Sequence, residues 1–206
     1  MNHTELNTEQ IILEAAEAEF LEKGYGNTKT VAIAQRAGVS HSMLHYYFRT
    51  KEQLFQKVFK EKVQALTQIF SVIFEQNTDF TETLRLVIET QFQFVAKNPQ
   101  LPIFIFREIL SNKENREWAT QMLFPHLFPF LSAMEKMLNI EIEKRTVRPI
   151  EIQNLLMNII SINISTFLVM PFLKENLYFE NDESLENFLN ERCESNVQFI
   201  LNALRP

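Results

Sequence analysis

The chain has 206 residues, of which 46% are hydrophobic and 22% are charged, a composition that supports one or two folded units and excludes a disordered chain. The net charge of −6 is unlike that of a strongly basic nucleic-acid-binding protein, and a single cysteine, Cys193, excludes an internal disulfide and a cysteine-based metal cluster. The N-terminus lacks the basic start and apolar run of a secretion signal, so we expect a cytoplasmic protein.

Three short helices are predicted in the N-terminal quarter of the chain. A first helix is expected over residues 9–23, where apolar residues recur at helical spacing. Thr28 opens a second helix, and Gly38 supplies a tight turn because a residue without Cβ adopts a positive φ freely. Ser40 is a favourable N-cap for a third helix. Residues 30–49 are therefore predicted to form a helix-turn-helix.

The third helix separates into two faces when its residues are placed about 100° apart. One face is polar and aromatic and comprises His41, Ser42, His45 and Tyr46. The other face is expected to pack inward and comprises Met43, Leu44, Tyr47 and Phe48. The second helix of such a motif is the element that enters the major groove of DNA. The alternative is a helical hairpin packed for structural reasons alone.

A further helix is predicted to begin at Lys51, because Thr50 and Gln53 have the spacing of a capping box. When this helix start is considered together with the helix-turn-helix, residues 8–55 resemble the TetR (tetracycline repressor) family of bacterial transcription regulators. The resemblance is carried by Phe20, Gly24, Tyr25, Thr28, Ile33, Ala34, Ala37, Gly38, Val39, Ser40, Leu44, Tyr46, Tyr47, Phe48, Lys51, Glu52, Gln53, Leu54 and Phe55. His41 and Ser42 occupy positions where family members often carry Lys and Gly. This difference affects which bases the helix would contact, and not the expectation that it enters the groove.

This resemblance implies a homodimer that binds a palindromic double-stranded DNA operator. Base contacts are expected from His41, Ser42, His45 and Tyr46. Phosphate contacts are expected from Thr28, Ser40, Tyr47 and Lys51. Residues 1–55 contain five Lys or Arg and seven Glu, a net charge of −2, which is the main objection to DNA binding. Backbone N–H groups at helix N-termini add phosphate donors without formal charge.

The rest of the chain is predicted to be helical, which gives an all-α fold of about nine helices. All three glycines precede Val39, and prolines and polar clusters separate the later segments. Helices are expected near residues 51–74, 80–97, 101–111, 118–139, 149–173 and 184–204, with a break in the fourth of these around Pro125 and Pro129. We assign residues 1–50 to a DNA-binding domain and residues 51–206 to an effector-binding and dimerisation domain, with helix 51–74 bridging them.

Most of the nineteen phenylalanines fall in the later helices, which is compatible with an ordinary core. The resemblance instead implies an apolar effector pocket with a few polar groups. The candidate pocket residues are Gln91, Phe92, Phe104, Arg107, Glu108, Trp118, Gln121 and His126. We expect a repressor that a small lipophilic or aromatic effector releases from DNA, through a movement of helix 51–74.

The last two helices are apolar around most of their circumference, so they are expected to be buried on several sides. The resemblance implies that they form the dimer interface. The candidate interface residues are Leu155, Ile159, Ile162, Phe188, Val197 and Leu201. The alternative is that they only close the core of the monomer. Polar residues interrupt the apolar window 155–173, so no membrane span is expected.

Catalysis is not expected, because no glycine-rich phosphate loop or nucleophile motif occurs. His41 and His45 have the spacing of a two-histidine metal pair, but no carboxylate or cysteine follows at ligand spacing, so DNA contact is favoured and no metal or cofactor is predicted. The competing interpretation is a helical small-molecule-binding protein, or an enzyme on the same scaffold, that has lost DNA binding. The acidic N-terminal region supports this alternative.

Overall fold

In the computed structural model of the chain, the structure describes residues 3–76, 78–110, 113–176, 179 and 181–206, and all regular structure among them is helical. The predicted all-α fold is confirmed. The elements are α1 (His3–Asn27), α2 (Thr30–Arg36), α3 (His41–Tyr47), α4 (Lys51–Glu75), α5 (Phe80–Lys97), α6 (Leu101–Phe104), a π-helical segment (Ile105–Leu110), α7 (Lys113–Glu143), α8 (Ile152–Asn176) and α9 (Asp182–Ala203).

The chain divides into two compact units. The first unit comprises Met1–Ala65 and Ile103–Met122, and the second comprises Leu66–Pro102 and Leu123–Pro206. The first unit thus includes the beginning of α4 and the segment after α6, which the sequence-based boundary at residue 50 left out. The functions assigned to the two predicted domains remain predictions.

The first unit is built around aromatic and aliphatic side chains that α1 to α4 contribute. Phe20, Ile33, Leu44 and Leu54 have no exposed surface, and the rings of Phe20 and Phe55 meet edge to face with their centroids 5.5 Å apart. Complete burial of such a side chain contributes about 1.5–3 kcal/mol. These contacts hold the short helices α2 and α3 against α1.

A kink at Gly24 turns the chain near the end of α1. Gly24 has φ 80° and ψ 163°, a conformation that glycine adopts and other residues resist. A Cβ at this position would also lie 2.8 Å from Glu108 Oε1 and 2.9 Å from Arg107 Nη2. The neighbouring Gly26 would meet no atom within 4 Å. The positive φ therefore favours glycine at this position, whereas the nearby atoms of Glu108 and Arg107 are side-chain ends that can move.

The second unit has a core of aliphatic and aromatic residues from the end of α4, α5, α7, α8 and α9. Its fully buried members include Leu84, Ile88, Met134, Leu138, Leu155 and Val197. Two buried amides bridge α5, α8 and α9. Asn163 Nδ2 donates to the Ile88 carbonyl (3.0 Å), and Asn196 Nδ2 donates to Asn163 Oδ1 (2.9 Å). Because an unpaired buried amide is costly, these bonds favour one arrangement of the three helices.

The prediction of a break in the seventh helix is wrong. α7 is continuous from Lys113 to Glu143 and contains both Pro125 and Pro129. A proline removes one backbone hydrogen bond, but a helix that is held by packing continues through it. In the second unit, Met134 and Leu138 on the following turns of α7 are almost completely buried, which supplies that packing.

Candidate nucleic-acid interface

The start of α3 is fixed by a turn and by a capping side chain. Gly38 lies in the turn with φ 67°, where an added side chain would strain the backbone. Ser40 is the N-cap, and its Oγ accepts a hydrogen bond from the Met43 backbone N–H at 3.1 Å. Both signals were predicted from the sequence. They set the rotation of α3 about its axis, and so they decide which side chains are exposed.

The outward face of α3 carries the four residues that were predicted to contact bases. His41, Ser42, His45 and Tyr46 are all exposed, and Tyr46 retains 75% of its surface. Within the helix only Leu44 is buried, and Phe48 is buried directly after it. The arrangement thus presents hydrogen-bonding and aromatic groups to solvent on a helix anchored from one side.

Met43 was expected to pack inward, and the structure contradicts this expectation. Its side chain is 44% exposed, and Val31 on α2 is 48% exposed. α3 has only seven residues, so a single inward position, Leu44, is enough to anchor it, and Met43 lies beside the polar face. Exposed apolar groups next to the face that is predicted to read bases suit contact with thymine methyl groups. The helical periodicity of such a short segment could not distinguish this position.

The two histidines of α3 contact each other. His41 Nε2 and His45 Nε2 are 3.1 Å apart, and the rings are nearly perpendicular with centroids 4.3 Å apart. Thr30 Oγ1 on α2 lies 3.0 Å from His41 Nε2. Polar contacts at the exposed surface therefore link Thr30 on α2 to His41 and His45 on α3.

Thr28 is not available to a phosphate, which corrects its predicted role. Its side chain is 2% exposed, and its hydroxyl is hydrogen-bonded to the carbonyls of Glu19 (3.0 Å) and Gly24 (2.7 Å). The backbone N–H of Thr28 also bonds to the Gly24 carbonyl. Thr28 therefore closes the turn between α1 and α2.

Lys51 also has a structural role that the sequence did not indicate. Its Nζ donates to the carbonyls of Tyr25 (2.8 Å) and Thr28 (3.0 Å) and lies 4.4 Å from the centre of the Tyr25 ring. A cation in contact with two carbonyls and an aromatic face stabilises this turn. Lys51 thus connects the start of α4 to the turn, and we do not retain it among the phosphate contacts. Ser40 and Tyr47 are exposed and half-buried, respectively.

Most glutamates of α1 are paired within the first unit. Glu19 is 4% exposed and binds Lys23 (2.7 Å) and Arg36 (2.9 Å), while Arg36 also pairs with Glu22. The hydrogen bond from Lys23, together with Arg36, holds the pKa of Glu19 below its usual range despite burial. Two further pairs with α4 are formed, Lys57 with Glu9 at 4.0 Å and Lys62 with Glu17 at 2.7 Å.

Two cations remain exposed on either side of the helix-turn-helix. Lys29 and Arg49 are exposed and form no ion pair among the residues that the structure describes. They immediately precede α2 and follow α3, respectively. Lys29 and Arg49 are therefore better candidates for contact with DNA phosphates than Thr28 and Lys51. Their positions on either side of the motif are visible in the sequence and could have indicated this role.

The candidate effector residues belong to different units. In the first unit, Phe104 packs on Phe55 (5.6 Å between ring centroids) and Trp118 on Phe59 (5.4 Å). The other three candidates there differ in exposure: Arg107 and Gln121 are exposed, and Glu108 is half-buried and bound to Arg107 at 2.7 Å.

The remaining effector candidates lie in the second unit. Phe92 is fully buried against Phe167 (5.0 Å between centroids). Gln91 accepts a hydrogen bond from the buried Asn163 at 2.8 Å, and His126 is exposed. Several of these candidates therefore have packing or hydrogen-bonding roles within their own unit, and their role in a pocket stays a prediction.

Half of the candidate dimer residues lie in the core of the second unit. Leu155, Ile159 and Val197 are at most 3% exposed, so they cannot contact another subunit, and this part of the prediction is wrong. Ile162, Phe188 and Leu201 are partly buried. Phe188 lines an open cavity of about 340 Å³ at the surface of α8 and α9.

A different set of large apolar residues on α8 and α9 is exposed. This α8–α9 apolar surface consists of Met157, Ile160, Leu168, Val169, Phe172 and Phe199, each between 41% and 64% exposed. α8 has a mean hydropathy of 1.8 over its most apolar window, of which 33% is buried, so by length and composition it could also cross a membrane. One such helix is weak evidence for a span, since a helix covered by protein on two sides has the same composition.

Comparison with known proteins gives matches for the N-terminal region and for the whole fold. Residues 12–58 match the model of the family described as bacterial regulatory proteins, tetR family. The fatty acid metabolism regulator protein of Bacillus subtilis (strain 168) is 30% identical over 117 residues, which are 56% of this chain and 60% of that protein. The chain thus matches about three fifths of that relative's length, and 53% of another regulator from the same organism.

Solved structures resemble the chain over almost its whole length. FadR from Bacillus subtilis, in complex with stearoyl-CoA, has a TM-score of 0.68 at 22% identity and covers 95% of this chain and 99% of its own. A TetR family transcription regulator from Marinobacter aquaeolei VT8 has a TM-score of 0.70 at 17% identity and covers 100% of this chain and 99% of its own. At these identities the likeness establishes the fold.

Proposed function

We propose that the chain is a sequence-specific DNA-binding transcription regulator that acts as a homodimer, because residues 12–58 match the family model described as bacterial regulatory proteins, tetR family. The observation that carries the proposal is the exposed face of α3. Its side chains are hydrogen-bonding or aromatic, and Leu44 and the Ser40 cap hold the helix from behind. A helix presented in this way suits the major groove, where base edges carry a distinct pattern of donors and acceptors.

We assign base contacts to His41, Ser42, His45 and Tyr46, which share the outward face of α3. Phosphate contacts are assigned to four other residues, Lys29, Ser40, Tyr47 and Arg49. Lys29 and Arg49 flank the motif with unpaired charges, so they can hold the two ends of the helix-turn-helix on the DNA backbone. This division separates sequence readout from positioning, which is the usual pattern in protein–DNA interfaces.

The net negative charge of the chain is compatible with this proposal. Glutamates of α1 form ion pairs with Lys23, Arg36, Lys57 and Lys62, so their charges are locally compensated. Lys29 and Arg49, which form no ion pair with the described residues, lie at the proposed DNA surface. Few phosphate contacts are then available, and the dependence of affinity on salt should be shallower than for a strongly basic domain.

The α8–α9 apolar surface supports the proposed homodimer. Six large apolar side chains are exposed on α8 and α9, and apolar surface of this kind on neighbouring helices is typical of protein–protein interfaces. A second copy of the chain offers the same surface, so a two-fold interface would bury both at once. Two-fold symmetry also presents two α3 helices to the two halves of a palindrome. The extreme apolar character of α8 is then explained by burial on two sides.

For the effector, we propose a lipophilic molecule, with long-chain acyl-CoA as the first class to examine. Support comes from relatives: one is named a fatty acid metabolism regulator, and a similar fold was solved with stearoyl-CoA. The second unit is rich in aliphatic and aromatic side chains, which are the side chains that line apolar ligand pockets. A ligand acts on DNA binding only if its affinity differs between the bound and released conformations.

The base contacts can be tested by single substitutions on α3. His45→Ala and Tyr46→Ala should each lower the preference for a DNA sequence selected from a random library by about 1–3 kcal/mol per lost base contact, measured by competition against scrambled DNA. Lys29→Ala and Arg49→Ala should instead weaken binding to both DNAs alike and lower the salt slope by about 1.

Lys97→Ala, an exposed lysine on α5, serves as the matched control and should change neither quantity. If His45→Ala and Tyr46→Ala both retain the wild-type preference, the assignment of base readout to α3 is wrong. If the wild type shows no preference for any selected sequence, the competing interpretation of a small-molecule-binding protein without DNA binding gains support.

The proposed interface can be tested by placing a charge on it. Phe172→Glu and Phe199→Glu should each raise the dimer dissociation constant at least about 100-fold, since a carboxylate buried without a partner costs several kcal/mol. Sedimentation velocity gives the oligomeric state, and circular dichroism confirms folding. Ile140→Glu on α7, where the side chain is 49% exposed, is the matched control and should remain dimeric. A monomeric wild type, or dimers in both Phe variants, would exclude this interface.

The effector class can be tested by adding stearoyl-CoA to the bound complex of protein and selected DNA. Release of DNA at micromolar stearoyl-CoA, with no release by CoA lacking the acyl chain, is the expected result. Fluorescence anisotropy of labelled DNA provides the measurement. Equal effects of the two compounds would argue against recognition of the acyl chain.

A further inference from the structure

The histidine pair of α3 has a geometry that DNA contact alone does not require. His41 and His45 are four residues apart on one helix, and their Nε2 atoms lie 3.1 Å apart, within hydrogen-bond distance of each other. Both side chains are exposed. Two imidazoles at this helical spacing are the arrangement that helical zinc sites use for two of their ligands.

The distance between the ring nitrogens fits a shared metal ion. Zinc binds imidazole nitrogen at about 2.0–2.1 Å, and two such bonds at a tetrahedral angle separate the nitrogens by about 3.3–3.4 Å. The observed Nε2–Nε2 separation is only a few tenths of an ångström shorter than this. The ring centroids, 4.3 Å apart, must also move apart as the rings rotate so that both lone pairs face one ion. We infer that His41 and His45 form a binding site for a divalent transition-metal ion, Zn²⁺ in the first instance, on the exposed face of α3.

The remaining coordination positions of this site would be open to water. Among the residues that the structure describes, no group of three or more His, Cys, Asp and Glu side chains lies together in a way that could hold a metal. Thr30 Oγ1, 3.0 Å from His41 Nε2, is placed to accept a hydrogen bond from a water on the metal. A site with two protein ligands at the surface binds and releases its ion readily, unlike a closed structural zinc site.

Metal binding and base contact would exclude each other. The metal takes the lone pairs of both Nε2 atoms and fixes the two rings together, so these nitrogens can no longer form hydrogen bonds with base edges. This consequence rests on the proposed function, whereas the metal site itself does not. Occupancy by metal would thereby lower the preference of the chain for its own DNA sequence.

Calorimetric titration of the full-length chain with Zn²⁺ alone tests the site directly. We expect one ion per chain in a buffer near pH 7.5. His41→Gln and His45→Gln should each weaken binding at least about 10-fold. His126→Gln removes an exposed histidine of α7 and should leave binding unchanged. Circular dichroism of each variant confirms that α3 and the rest of the chain remain folded.

Two results would overturn the metal site: Zn²⁺ binding of equal strength in all four proteins, or no binding by the wild type. The competition with DNA is a separate measurement, in which Zn²⁺ should reduce the preference for selected over scrambled DNA and EDTA should restore it. If Zn²⁺ binds through the two histidines but leaves this preference unchanged, the metal site is supported. The base contacts that the proposed function assigns to these histidines are then contradicted.

Discussion

The complete burial of Leu44 is the constraint on which the rest of the N-terminal unit depends. A helix of seven residues is too short to be stable in water by itself, so α3 exists only because tertiary packing and capping hold it. Leu44 supplies the packing, the Ser40 hydroxyl supplies the cap, and Gly38 makes the turn that brings α3 across α2. With one anchored position, the other side chains of α3 are free to face solvent.

Because Leu44 alone anchors α3, the residues on its outward face can be polar and aromatic. Nothing in the unit's own packing requires histidines or an exposed tyrosine at positions 41, 45 and 46, because the core is complete without them. The ion pairs of α1 serve a related purpose. They compensate glutamates of α1 through Arg36, Lys57 and Lys62. Lys29 and Arg49 remain as the cations beside the motif that form no ion pair with the described residues.

The sequence predicts local features of this protein well and tertiary features poorly. The Ser40 cap, the Gly38 turn and the bounds of α5 follow from neighbouring residues, and all three are found as expected. The role of Lys51 was not predictable, because its partners lie 23 and 26 residues away. The inward and outward sides of α8 could not be distinguished either, since apolar residues surround most of its circumference and only the neighbouring helices decide which of them are buried.

The central claim, that two copies of α3 enter the major groove of one duplex, is tested most directly by dimethyl sulfate footprinting. The reagent methylates guanine N7, which lies in the major groove. On DNA selected from a random library, we predict guanines protected by the bound protein in two half-sites related by two-fold symmetry and about one helical turn, or a multiple of it, apart. A selected sequence whose guanine N7 atoms stay reactive throughout the bound site would contradict the account.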